Sequence, residues 1–155
     1  MSSERRKYIP IGFLNDETIP TDLLFIIPNV EVYHFGILTS NVHMAWMRAV
    51  AGRLKSDYRY SKDIVYNNFP WPTPTPAQKE RIEKTAQAIL DARALYPESS
   101  LADLYDELTM PVELRKAHRA NDKAVMEAYG FWGRLNSEAA CVAELMKLYK
   151  ALTEK

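Results

Sequence analysis

Apolar positions follow different patterns on the two sides of a run of prolines. In the first part, short apolar and aromatic groups stand between turn residues: Tyr8, Ile9, Ile11 and Phe13, then Leu23 to Ile27, then Val32, Tyr33, Phe35 and Ile37. Runs of this length bounded by Pro, Asn and Asp predict strands. After Ser40, a suitable N-cap, Val42, Ala45, Trp46, Ala49 and Val50 recur at three- and four-residue intervals, which predicts a helix to about Ala51, ended by Gly52. Leu54, Tyr58 and Tyr60 then alternate with Lys55, Asp57 and Arg59, the period-2 pattern of an extended segment with one polar face, and residues 64–69 read as extended too.

Pro70, Pro72, Pro74 and Pro76 exclude helix and central strand. They read as a stiff linker, with Phe69 and Trp71 pinning it to the core. Beyond it the period is helical. Thr75, Pro76 and Gln78 form a helix start with a capping box, and Ile82, Ala86, Ile89, Leu90 and Leu95 make an apolar stripe to about Tyr96. Shorter helices are predicted at 101–108, 111–120 and 122–129, the last closed by Gly130, and a final one at 138–152 with Val142, Leu145, Met146, Leu148, Tyr149 and Leu152 inward. The expected fold is α+β: a small mixed strand and helix part followed by an all-helical part.

Composition narrows the class. Hydrophobic residues at 47% and charged residues at 26% suit a folded globular chain, and no apolar run reaches the roughly 20 residues of a membrane span. A single cysteine, Cys141, excludes an internal disulfide and any multi-cysteine zinc site, and no signal-peptide pattern opens the chain, so a cytoplasmic protein is expected. Net charge is zero, which excludes a strongly basic nucleic-acid binder and leaves only a local patch to hold a polyanion. Such a patch exists: between Arg48 and Lys62 five basic residues (Arg48, Arg53, Lys55, Arg59, Lys62) face Asp57 alone, while residues 11–47 hold no Lys or Arg. A solvated strand face accounts for it equally well on composition alone.

Candidate catalytic chemistry is sparse. His34, His43 and His118 lack cysteine or carboxylate neighbours at ligand spacing and read as satisfied or surface histidines. Asp103, Asp106 and Glu107 read as a solvated helix face, and Cys141 as a packed thiol. Five glycines leave no phosphate-loop or dinucleotide fingerprint. Asn67 to Trp71 combines amide, proline and aromatic residues as the Asn-Pro-Pro-Tyr motif of amino-methyltransferases does, but in another order.

Several segments together resemble the C-terminal part of the MmeI-like family of DNA methyltransferases and restriction–modification enzymes. They are Ser2 to Pro10 (SSERRKYIP), Leu38 to Arg48 (LTSNVHMAWMR), Gly52-Arg53-Leu54, Tyr58 to Ser61 (YRYS) and Val65 to Pro72 (VYNNFPWP). Leu101 to Asp106, Met110-Pro111, Leu114 to His118, Asn121-Asp122 and Ala128 to Phe131 continue the likeness through the helical part. The resemblance implies that residues 1–72 are the closing portion of a DNA target-recognition domain, 73–76 a Pro-rich linker and 77–155 a helical C-terminal domain. It further implies a parent that methylates adenine N6 with S-adenosylmethionine, its catalytic motif and cofactor sheet upstream. The chain itself would then be a non-catalytic fragment without cofactor, its partners double-stranded DNA and the upstream methyltransferase domain.

In that family one base pair is read by two charged residues spaced two apart after Gly-Arg-Leu, here Lys55 and Asp57. Lys donates to guanine O6 and N7 and Asp accepts from cytosine N4, so the pair would read G·C. Arg48, Arg53, Arg59 and Lys62 suit phosphates, as do Arg115, Lys116 and Arg119 of the helical part, and Tyr58 and Tyr60 suit the core. The alternative is a helical protein–protein interaction module that does not bind DNA.

Overall fold

The computed structural model describes residues 2–3, 6–20, 25–54 and 57–154. They form a mostly helical chain: β1 (Ser2–Ser3), α1 (Val32–Leu38), α2 (Asn41–Val50), β2 (Gly52–Leu54), β3 (Asp57–Arg59), a π-helical turn (Lys62–Tyr66), α3 (Pro76–Ala94), α4 (Leu101–Leu104), α5 (Val112–Tyr129) and α6 (Glu138–Thr153). The three strands pair antiparallel in the order β1-β3-β2, with Ser2 opposite Tyr58, Arg53 opposite Tyr58 and Leu54 opposite Asp57.

Residues 8–13 carry no strand, and Tyr8 and Ile9 are buried from irregular backbone. Of the run 23–27, Leu23 and Leu24 lie outside the described residues, and 25–27 form no element. Val32 to Leu38 is a helix, although its apolar residues alternate. The seven-residue helix buries Tyr33, Phe35, Gly36, Ile37 and Leu38, so no polar face survives to display the 3.6 period. His34 supports its start, its Nδ1 accepting from the Glu31 amide at 3.1 Å. The segment read as one extended stretch over 54–60 is two strands, β2 and β3. The stretch read as extended over 64–69 begins in the π turn, where Asn67 N donates to the Lys62 carbonyl at 2.8 Å and Ser61 caps the amide of Ile64. That turn buries Val65 and presents its carbonyl to Trp46 Nε1 at 2.9 Å.

The helical predictions after the prolines hold in place and differ in length. Thr75 and Gln78 exchange the two bonds of a capping box at 3.2 and 3.0 Å. α4 is one turn. The predicted helices 111–120 and 122–129 are one helix, α5, ended by Gly130 at φ 73°. Asn121 and Asp122, the residues that suggested a break, are buried mid-helix because their side chains serve other backbone segments. Asn121 Nδ2 donates to the Gly36 carbonyl at 2.7 Å, and Asp122 accepts from the Asn41 amide at 2.9 Å and the Tyr8 hydroxyl at 2.6 Å. Leu95 lies exposed rather than in the α3 stripe, and Met146, Leu148 and Leu152 face outward from α6.

The core takes residues from both sides of the proline run. One cluster gathers Ile37, Met44, Trp46, Met47, Val65 and Phe69 with Ile82, Val125, Phe131 and Leu145. The other gathers Tyr8 and Phe35 with Ala86, Ile89, Leu104, Tyr105 and Leu114. The run itself is pinned: Phe69 is buried, the Trp71 ring meets the edges of Phe69 and His34, and the Tyr129 hydroxyl donates to the Pro70 carbonyl at 2.6 Å.

Candidate nucleic-acid interface

The basic strip falls on the β2–β3 sheet and the two elements flanking it. α2 delivers the chain into β2 through Ala51, and the π turn leaves β3 after Ser61. Tyr58 is buried, and the Tyr60 hydroxyl lies 2.8 Å from His43 Nε2, so both tyrosines face the core as expected. Burial raises the Tyr60 hydroxyl above its ordinary range and pushes His43 down to about 3, which keeps the imidazole neutral. Arg59 and Lys62 are exposed.

The predicted cations do not share one role. Arg48 is tied down, its Nη1 3.0 Å from Glu138 and its Nη2 donating to the Arg6 carbonyl at 3.3 Å, so it joins α2 to α6 and to the N-terminal segment. Arg53 and Asp57 stand in β2 and β3, and Lys55 lies outside the described residues. Because β2 ends at Leu54 and β3 opens at Asp57 on the antiparallel partner, the period-2 argument for one shared face does not reach across the pair.

A second basic group lies at α5. Arg115 Nε donates to the Met110 carbonyl at 3.1 Å and its Nη2 to the Glu107 carbonyl, while Lys116 and Arg119 are exposed. Arg115 and Arg119 line a cavity of about 190 Å³ together with Lys7, Tyr8, Tyr105 and Glu107. Lys7 escaped attention in the sequence. Its only signal was the basic triplet Arg5-Arg6-Lys7, far from the strip it complements.

The other candidates take structural positions. His118 stacks on Tyr8 at 4.1 Å, and its Nε2 lies 2.6 Å from the Tyr105 hydroxyl. Asp103 pairs with Ser100 at 2.9 Å, Asp106 accepts from the Leu108 amide at 2.9 Å, and Cys141 is buried with its thiol pushed up to about 11 by burial and Glu138. Among the described residues no three His, Cys, Asp or Glu side chains are grouped to hold a metal, and no helix is long and apolar enough to cross a membrane.

The described residues form a small, mostly helical unit with an antiparallel hairpin in a basic stretch of sequence and a second basic group on α5. Residues 1–73 match the MmeI target recognition domain and residues 74–155 the MmeI C-terminal domain, so the chain belongs to the MmeI family. It is 43% identical over all 155 residues to 17% of DNA methyltransferase A of Bacillus subtilis (strain 168). A solved structure of the Type IIL restriction–modification enzyme MmeI in complex with DNA superposes with a TM-score of 0.94 at 50% identity, over 99% of this chain and 20% of that one. The chain therefore spans about a fifth of the length of these relatives.

Proposed function

We propose that this chain is the sequence-recognition part of a site-specific DNA methyltransferase of restriction–modification type, acting on DNA without turnover of its own. The reading rests on the 50% identity, over nearly the whole chain, to an enzyme solved in complex with DNA. The parent would transfer a methyl group from S-adenosylmethionine to adenine N6 with a catalytic domain elsewhere in its chain, in the cytoplasm. Residues 1–72 close the target-recognition domain and 77–155 form the helical C-terminal domain, joined at 73–76. Lys55 and Asp57 read one G·C pair from the β2–β3 hairpin, each good contact worth about 1–3 kcal/mol of discrimination. Antiparallel strands can read bases from the major groove, which gives the β2–β3 edge of the sheet a physical route to base edges. Arg53, Arg59, Lys62, Arg115, Lys116 and Arg119 would hold phosphates, positioning without specifying. Arg48 is the least available of the set because Glu138 and the Arg6 carbonyl engage its guanidinium.

A second reading, a helical module that docks on a protein, draws on the outward Leu148 and Leu152 of α6 and on Trp132, which is 52% exposed. Salt separates the two. Affinity of the chain for duplex DNA should fall linearly in log–log form as salt rises, with a slope of about −0.9 for each phosphate neutralised. A slope near zero, or no binding at low salt, would favour the docking module.

A further inference from the structure

The cavity beside α5 is the one described site where cations converge from distant parts of the chain. Lys7 comes from the N-terminal segment, and Arg115 and Arg119 from one face of α5, four residues apart. Among the described residues Glu107 is the single carboxylate that lines the cavity, against three cations. Arg115 is oriented in advance by its bonds to the carbonyls of Glu107 and Met110. Arg119 has no ion pair among the described residues, and Lys7 rests its ammonium 5.8 Å from the Tyr8 ring centroid.

The back wall is already satisfied by its own network. The Tyr8 hydroxyl is committed to Asp122, and the Tyr105 hydroxyl accepts from Arg93 Nε and Nη2 at 3.0 and 2.6 Å while meeting His118. A ligand would meet the cations rather than the hydroxyls. Burial, Arg93 and Lys7 together hold His118 neutral, and the same positive field attracts an anion. At about 190 Å³ the space is below the ~300 Å³ at which pockets for drug-sized organic ligands begin, and it suits a small ion. Guanidinium groups match tetrahedral oxyanions through paired N–H donors.

We propose that this cavity is an oxyanion pocket that seats one phosphate group, with Lys7 and Arg119 as the contacting cations and Arg115 as the oriented third. The group is either a backbone phosphate of DNA, an arm that rests on the function proposed above, or free inorganic phosphate. α2 runs from the contacts behind the pocket's Tyr8 wall to the start of β2. The Tyr8–Asp122–Asn41 contacts mark one end of that helix and the Arg6–Arg48 contact the other, about 10 Å apart at 1.5 Å per residue. A DNA strand lying on β2 and β3 would be held a second time at the pocket.

The test uses the whole chain and five forms: wild type, Lys7→Gln with Arg119→Gln, Arg119→Gln alone, Lys84→Gln and Glu107→Gln. Lys84 is exposed on α3 and does not line the cavity, so its variant controls for general loss of positive charge. Inorganic phosphate should raise the Tm of the wild type above that in sodium chloride of equal ionic strength. The double variant should lose this shift, Lys84→Gln should keep it, and Glu107→Gln should bind phosphate several-fold more tightly. Circular dichroism checks that each variant is folded. With duplex DNA, Arg119→Gln alone should weaken binding equally for all sequences and reduce the salt slope by about 0.9.

A phosphate shift together with the DNA effect supports a backbone phosphate as the occupant. A phosphate shift with unchanged DNA binding supports free phosphate. A phosphate shift in a chain that binds no DNA keeps the pocket while removing the function proposed above. The pocket is overturned if neither readout responds to the Lys7 and Arg119 changes, or if Lys84→Gln acts as strongly as Arg119→Gln.

Discussion

His43 and His118 are sealed among rings and aliphatic side chains, and each uses one nitrogen on a tyrosine hydroxyl while its Nδ1 has no partner. Burial pushes both down to about 3 from 6.5, so the folded state holds them neutral while the unfolded chain protonates them below 6.5. Stability contributed this way is full above pH 6.5 and is lost as pH falls towards 3, at up to about 1.4 kcal/mol per pH unit for each histidine. Asp122 acts in the opposite sense. Burial raises it from 3.8 to about 6 against the pull of its bonds to Tyr8 and Asn41, so its contribution is full below 3.8 and is lost as pH rises through about 6. Urea unfolding at pH 7, 6 and 5 should show stability falling with acid, and His118→Gln should make that fall shallower by about one histidine's worth. An unchanged slope in the variant would mean that His118 is not held neutral in the fold. The sequence favoured satisfied or surface histidines over metal ligands; which residues would satisfy His43 and His118 depended on Tyr60 and Tyr105, which only the packing brings to them.

At the scale of elements, α1 rests on α3 with no gap at Gly36. A Cβ there would stand 2.9 Å from both Ala86 Cβ and Ile82 Cγ2, short branches close to the α3 backbone on its buried face. Gly36→Ala should therefore lower stability by about 1–3 kcal/mol despite the roughly 1 kcal/mol that alanine gains in helix propensity. The urea midpoint measures it, and a stabilised variant would mean that α1 and α3 are not in close contact. This contact also explains what was hard to read. α2 and α3 are long enough for their three- and four-residue apolar spacing to show, and their caps at Ser40 and Thr75 mark where they start. α1 was read as a strand because it is buried on most sides. α5 was divided because Asn121 and Asp122 look like helix breakers until their partners, Gly36 and Asn41, are in place. The π turn had no signature beyond Ser61, since its extra residue serves to bring Val65 under Trp46.

For the molecule as a whole, the segments matching the two MmeI domains share one core, and α5 of the second holds the α1–α2 elbow of the first. The hairpin thus follows a helix whose N-terminus is held from the C-terminal segment, the kind of support that the proposed base reading needs. Little of that site was legible from charge, because the net charge is zero and the cations come from separate stretches. Gly52-Arg53-Leu54 pointed to Lys55 and Asp57 only through family resemblance, and Lys7 became a candidate only when the fold set it beside Arg119. The most direct test of base reading is a methylation map of host DNA, comparing the full-length enzyme that carries this chain with its Lys55→Glu, Asp57→Arg double variant. The account predicts that the methylated motif changes from G to C at one position and is otherwise the same. Methylation of an unchanged motif by an active double variant would contradict it.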